Sequence, residues 1–189
     1  MTIPLGTKRL RFRHLHNKDV DRLVALGADE GVLEFIDWHA PSREEQARLL
    51  GGVIDDYVRW PGYGRFAAET LDDEFIGWFA LRVDDDPTRP EVGYRLHRSA
   101  WGKGFATEGS RALVDHAFDN LSAALVWAQT MFVNHRSRRV MEKCRMRRVL
   151  TWHENFDNPL PGTEHGEVRY EITRREWQST RQRPGPGWV

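Results

Sequence analysis

The run EVGYRLHRSAWGKGFATEG, Glu91 to Gly109, constrains this 189-residue chain more than any other stretch. A strand-like segment passes through Trp101-Gly102-Lys103-Gly104 into Phe105-Ala106-Thr107 and an acid-opened helix, where ordinary turn chemistry needs only one glycine. A helix start leaves several backbone N–H groups unpaired, and the helix dipole adds about half a positive charge there. Anions bind well at such a point when glycines permit close approach. Gly102 and Gly104 supply that approach, and Lys103 places a full charge beside it. The bland alternative is a left-handed turn carrying a surface lysine.

What surrounds this turn sets the fold class. The helix FATEGSRALVDHAFDN is followed by the strand AALVWAQTMFV, so residues 91 to 133 form a strand-helix-strand unit, which requires a right-handed crossover and locally parallel neighbours. Upstream, KRLRFRHL alternates Leu10, Phe12 and His14 with basic residues, the period of a half-buried strand. Two helices are expected next: one after Asn17, with Val20, Leu23 and Val24 on one face and Gly27 as its stop, and one opened by Ser42 and Glu45 at capping-box spacing. Leu49, Leu50, Val53, Ile54 and Tyr57 read as the apolar stripe of the second. GRFAAETL and EFIGWFALRV, joined by Asp72-Asp73, read as a hairpin. NHRSRRVMEKCRM reads as a short basic helix capped by Asn134, and RRVLTWHENF and EVRYEITRREW as the last strands. The order β, α, α, β, β, β, α, β, α, β, β predicts an α+β (mixed α/β) domain over residues 1–177, a mostly antiparallel central sheet flanked by helices. The tail QSTRQRPGPGWV, residues 178–189, has too little apolar content and too much Pro and Gly to expect order.

Composition excludes little but points in one direction. Lys plus Arg and Asp plus Glu each number 28, so no overall field draws the chain to nucleic acid or an anionic membrane. The single cysteine, Cys144, and the lack of a long apolar run suggest neither disulfides nor export, and a cytoplasmic location is expected.

Two phosphate motifs fail on spacing. A P-loop needs Gly-Lys-Ser/Thr, but Gly104 follows Lys103; the dinucleotide fingerprint needs a third glycine or alanine where Thr107 stands. The chain instead resembles the GNAT acyltransferases, which transfer an acyl group from coenzyme A to an amine and carry Arg/Gln-x-x-Gly-x-Gly/Ala between the fourth strand and the next helix. Here that turn reads Trp101-Gly102-Lys103-Gly104-Phe105-Ala106, with tryptophan in place of the usual first residue. Within the family, WGKG(F/Y)ATE is similar to the branch of ribosomal-protein alanine N-acetyltransferases of the Rim type. That branch's Asn-x-x-Ser-x-x-Val-x-Glu-Lys block is matched at Asn134, Ser137, Val140, Glu142 and Lys143. Cys144-Arg145-Met146 departs from its usual Leu-Gly-Phe.

The resemblance implies site residues. The pyrophosphate of acetyl-CoA, the acyl-donor cosubstrate, is expected on the N–H groups of Gly102 to Thr107, and the pantetheine on backbone near Leu96 and Arg98, paired like an added strand. Glu108, in the first helical turn, reads as a dipole partner. Asn134 reads either as a helix cap or as a coenzyme ligand. The family analogy chooses Ser137 as general acid for the departing thiolate, whose thiol pKa is about 8.5. Glu91 and Glu154 are candidates for the base, with His153 as an outsider and a surface charge as the plain reading of each. No covalent nucleophile is required, and Cys144 is expected in the core. Phe35 and Trp38, with Trp60, Tyr63 and the acids Glu34 and Asp37 nearby, lie where relatives build the acceptor groove. Arg136, Arg138 and Arg139 form a basic face, either solvated or reaching the adenosine 3′-phosphate.

The reaction implied is direct attack of an amine on the thioester in a ternary complex. A terminal α-amine, with pKa about 7.7 to 8.0, is roughly 10 to 20% neutral at pH 7, whereas lysine at about 10.4 is only ~0.04% neutral. A peptide or protein N-terminus is therefore the expected acceptor. A small amine such as an aminoglycoside or polyamine is the alternative enzyme reading, and a non-catalytic acyl-CoA-binding module the alternative outside catalysis. No metal is expected. Relatives are often homodimers, but no residue here specifies an interface.

Overall fold

The computed structural model describes residues 5–182. Its sheet begins as the alternation predicts, with Leu10 and Phe12 of β1 (Leu10–His14) buried and Arg11 turned to solvent. β1 pairs antiparallel with β2 (Gly64–Thr70), and β2 with β3 (Phe75–Arg82) across the expected Asp72-Asp73 turn. That turn holds Asp73 at φ 63°, a left-handed conformation that aspartate tolerates better than most residues.

β4 (Glu91–Leu96) continues the antiparallel run. The remaining strands, β5 (Leu125–Met131), β6 (Arg147–Trp152) and β7 (Glu167–Thr173), complete a seven-stranded sheet of order β1-β2-β3-β4-β5-β7-β6. Every pairing is antiparallel except β4 with β5. β7 is inserted between β5 and β6, which leaves β6 at the edge with Leu150 half exposed.

Helices α1 (Val20–Gly27), α2 (Glu30–Leu33) and α3 (Arg43–Arg59) follow β1; α4 (Phe105–Asp119) joins β4 to β5, α5 (His135–Lys143) joins β5 to β6, and α6 (Arg174–Gln182) ends the described chain. Three helices, rather than two, therefore follow β1: a single turn, α2, forms because Asp29 accepts the Gly31 N–H at 2.9 Å. The capping box opening α3 is present, with Ser42 and Glu45 exchanging bonds of 2.8 and 3.2 Å. Leu49 falls outside the α3 stripe and is 57% exposed, while Leu50 is buried against Leu15, Val20, Leu23 and Ala67.

The larger core lies between the sheet and α4, with Phe66, Phe79, Leu113, Phe118, Val126 and Ile172 at its centre. α4 sits so close that a Cβ on Gly109 would collide with the Phe79 ring. α6 corrects the expectation of an unordered tail for residues 178–182; residues 183–189 lie outside the described region. Its order has visible causes. Glu176 accepts Thr173 N–H and Oγ1–H at 2.8 and 2.6 Å, Trp177 packs on Phe118 with ring centres 5.1 Å apart, and Arg174 donates to the carbonyls of Phe118, Leu121 and Ala123.

Candidate active site

The glycine turn has the conformation its sequence requires. Gly102 and Gly104 hold φ of 73° and 82°, and Gly104 caps α4 with no side-chain acceptor on the first helical N–H groups. α2, α3 and α5, by contrast, are closed by Asp29, Ser42 and Asn134. Gly102, Lys103 and Gly104 are exposed, and a Cβ on Gly102 would meet no atom within 4 Å. Phe105, Ala106 and Thr107 form the half-buried first turn of α4.

Glu108 does more than complement the helix dipole. It accepts from Thr7 Oγ1 at 2.6 Å and from Arg9 Nε at 2.7 Å, pinning the segment before β1 to α4. Burial opposes its ionisation, but these hydrogen bonds prevail and hold its carboxyl below the usual glutamate range. Arg9 also donates to the Lys103 carbonyl at 3.0 Å and lies 4.6 Å from the Phe105 ring centre, so a second cation stands over the turn. The sequence signal for Arg9 is only the basic side of the KRLRFRHL alternation, which by itself reads as solvated.

Beside the turn, β4 and β5 part. They share one register pair, Glu91 with Trp127, and β4 has no strand partner on that side further along. His97 N–H donates to Ile76 of β3, so by strand alternation the Tyr94 and Leu96 backbone groups face the gap. Trp101 enters there. Its indole donates to the Leu96 carbonyl at 2.9 Å, and its own N–H donates to the Arg98 carbonyl at 3.0 Å in a short 3-10 turn. Each expected backbone site thus already has one carbonyl bond, and the Leu96 N–H remains at the edge of the gap. The Arg98 side chain lies against Gly31, with Asp29 3.8 Å away, and braces α2.

α5 begins at the far side of the gap. Asn134 Oδ1 accepts the Ser137 N–H and Nδ2 donates to Thr130 Oγ1, both at 3.1 Å, so both ends of the amide are engaged and the cap role is realised. The half-buried Ser137 faces Tyr94, whose phenol interacts with the serine hydroxyl; burial pushes Tyr94 up to about 12. Arg138 is structural, donating to the Phe132 carbonyl and Tyr170 Oη, while Arg136 lies 5.2 Å over the Trp101 ring. Cys144 is buried, as expected, and burial pushes its thiol up to about 12.

The carboxylates separate into two groups. Glu91 is largely buried at the closed end of the β4/β5 pair, where it meets Arg82 at 2.5 Å; burial raises its pKa despite that partner. Glu154 is exposed in the loop after β6. Near it stands Glu167, the first residue of β7, registered between Met131 and Trp152 at the open end of the gap. Burial first, then the Glu154 charge, push Glu167 up to about 7. Gly166, at φ 82°, makes this possible, because a Cβ there would strike the Trp152 carbonyl and the His153 ring. Sequence reasoning missed Glu167, since a glutamate opening an amphipathic strand carries no distinguishing local signal.

On the opposite sheet face from α4, a cavity of about 800 Å³ lies between β2–β4 and the α1–α3 segment. Its lining includes Ile36, Asp37 and His39 rather than Phe35 and Trp38. Phe35 is half buried, and the exposed Trp38 donates from its indole to the Asn158 carbonyl at 3.0 Å, joining the loop after α2 to the loop after β6.

These features place an exposed glycine turn beside a split sheet, and comparison with known proteins identifies the fold. The family profile described as "Acetyltransferase (GNAT) domain" matches residues 9–147, and the chain belongs to that family. FsC-acetyl coenzyme A-N(2)-transacetylase of Aspergillus fumigatus is 34% identical over 182 residues, covering 92% of this chain and 77% of the relative. Among solved structures, RimL, a ribosomal L7/L12 alpha-N-protein acetyltransferase in complex with coenzyme A, superposes with a TM-score of 0.78 at 20% identity over 92% of this chain and 98% of that one. Spermidine N-acetyltransferase from Vibrio cholerae, in complex with coenzyme A and spermine, gives 0.76 at 18% identity over 91% and 99%. The chain is an acetyl-CoA-dependent N-acetyltransferase of the GNAT type.

Proposed function

We propose that this enzyme acetylates an α-amine, with a peptide or protein N-terminus as the acceptor. The observation that carries this reading is the Glu154/Glu167 pair at the open end of the gap, with Glu167 near 7. A base in that range is matched to an amine of pKa about 7.7 to 8.0 and poorly matched to a lysine or polyamine amine at about 10.4. The turn sequence and the likeness in fold to RimL support placing the chain beside that branch.

In this reading acetyl-CoA supplies the activated acyl group. The unpaired N–H groups from Gly102 to Thr107 hold its pyrophosphate, with Lys103 and Arg9 as counter-charges. The edge of β4 at Leu96 takes the pantetheine amide, with Trp101 and Arg98 shaping the entrance and Asn134 fixing the start of α5. Ser137, backed by the Tyr94 phenol, donates to the thiolate sulfur as the bond to the acyl carbon breaks. Glu167, assisted by Glu154, takes the ammonium proton directly or through water. Glu91, committed to Arg82, holds the closed end of the gap. Phe35 and Trp38 shape the outer wall of the acceptor groove, the latter by joining its two loops. The setting assigned is cytoplasmic.

Thiol release from acetyl-CoA across an amine panel tests the proposal. Turnover on short peptides that exceeds turnover on spermidine and lysine side chains supports it; preference for spermidine refutes it. Ser137→Ala is expected to lower kcat while keeping coenzyme binding, and full turnover in that variant removes Ser137 from the mechanism. A small-molecule α-amine is the second reading, favoured by the relative whose name places its transfer on N(2) of FsC.

A further inference from the structure

Two arginines in the cavity facing α1–α3 have Nε atoms without a hydrogen-bond or ion-pair partner among the described residues, and both lie against an indole. Arg65 of β2 and Arg95 of β4 flank Trp78 of β3, since the registers Arg65↔Ala80, Ala67↔Trp78 and Trp78↔Arg95 put all three on one sheet face. Their guanidinium carbons lie 4.2 and 5.6 Å from the Trp78 ring centre. Both Nε atoms are buried without a hydrogen-bond partner, and no carboxylate among the described residues lies within ion-pair distance of either guanidinium. Other arginines of the same sheet are paired: Arg13 with Asp19 and Glu69, and Arg82 with Glu91.

This arrangement is costly in the free protein. Both side chains are half-buried, but a buried Nε without a partner is still destabilising, and an apolar side chain of similar volume would serve packing better. Burial and the mutual repulsion of the pair lower Arg65 to about 10, and burial lowers Arg95 also. The acids around the cavity do not answer the need. The Glu45 carboxylate is held by the Ser42 N–H at the start of α3, and Asp37 acts on Arg95 only from beyond ion-pair distance. The rest of the lining mixes apolar Leu26, Leu33 and Ile36 with His39, Gln46 and a third cation, Arg48. A guanidinium fork lying over an indole suits a planar, bidentate anion, and a carboxylate is the common one.

The cavity borders the strand that edges the gap, from the opposite sheet face. Arg95 is next along β4 to Tyr94, which faces Ser137, and to Leu96, which borders the gap. We propose that the cavity is an anion subsite of the acceptor groove: the amine acetylated by this chain carries a carboxylate, which Arg65 and Arg95 hold against Trp78. The proposal rests on the acceptor reading above, and it names the class of acceptor within it. An acidic peptide side chain and the carboxylate of a free amino acid offer the same chemistry. A polyamine does not.

The test uses acceptors that differ only in charge. The full chain with acetyl-CoA is assayed with Ala-Glu and Ala-Gln dipeptide amides, with free alanine and alanine amide, and with spermidine. At least a tenfold lower KM for the carboxylate member of one pair is expected, and the pair that shows it identifies the source. That ratio is expected to collapse toward one in Arg65→Gln and Arg95→Gln, with coenzyme A titration confirming that each variant is folded. Calorimetric titration of the same carboxylate probes in the presence of coenzyme A reads the subsite without turnover, so a failure of the acetyl-transfer reading is separable from a failure of this one. Equal KM within both pairs, preference for spermidine, a ratio unchanged in the variants, or calorimetric binding no stronger for carboxylates than for amides overturns the proposal.

Discussion

Replacing glycine by alanine at two helical positions of this enzyme is expected to have opposite effects. Gly51 lies inside α3, and a Cβ added there meets no atom within 4 Å. Gly51→Ala should gain roughly 0.5–1 kcal/mol, because alanine loses less chain entropy in a helix. Gly109 lies inside α4, where the added carbon would sit 2.8 Å from Phe79 Cε2 and nearer still to Cζ, against an ordinary contact of 3.4 Å or more. The ring has little room to retreat: Phe79 is 0% exposed, with Phe12 edge-on at 5.5 Å and Tyr94 at 5.7 Å. Overpacking of this kind costs about 1–3 kcal/mol and outweighs the helix gain. The two variants should therefore differ by about 1–3 kcal/mol in urea unfolding, or several degrees in Tm for a chain of this size. Gly109→Ala should also weaken coenzyme A binding, because lifting α4 off the sheet displaces the glycine turn at its start. If both substitutions stabilise alike, the close helix-sheet contact is not what holds the turn in place.

Asn134→Ala should cost about 1 kcal/mol, whereas Asn134→Asp, which keeps an acceptor for the Ser137 N–H, should retain most of the stability in the same urea titration. With Glu167 as base, kcat/KM should fall about tenfold per pH unit below about 7 as the carboxylate protonates, and Glu167→Gln should flatten that limb of the pH–rate profile. The stability effect of the same group has the opposite sense. Its raised folded pKa favours the folded state below the ordinary glutamate range, and that contribution is lost as pH rises through about 7, so Glu167→Gln should lose less stability between pH 5 and 8 than the native chain.

Local signals made much of the fold legible. The Ser42/Glu45 box, the Asn134 cap, the Asp72-Asp73 turn and the paired glycines each specify their geometry within a few residues, and each formed where its sequence placed it. What sequence could not give depends on contacts between distant segments. The insertion of β7 between β5 and β6 rests on non-local pairing, and the helical order of residues 178–182 rests on Trp177 meeting Phe118 and Arg174 meeting the end of α4. The site divides in the same way. The glycine turn is a local motif, and its left-handed conformation was readable. Glu167 becomes notable only because Gly166 lets the chain around Trp152 and His153 approach, and Arg65 and Arg95 read as ordinary strand charges until the register places them on either side of Trp78.

The most direct test of the central claim is an amide NMR titration of the isotope-labelled chain with coenzyme A. The account predicts that the N–H signals of Gly102 to Thr107 shift most, together with Leu96 at the edge of the gap, and that dephosphorylated pantetheine shifts Leu96 while leaving the turn in place. Saturable coenzyme binding that leaves the Gly102–Thr107 signals unmoved would contradict it.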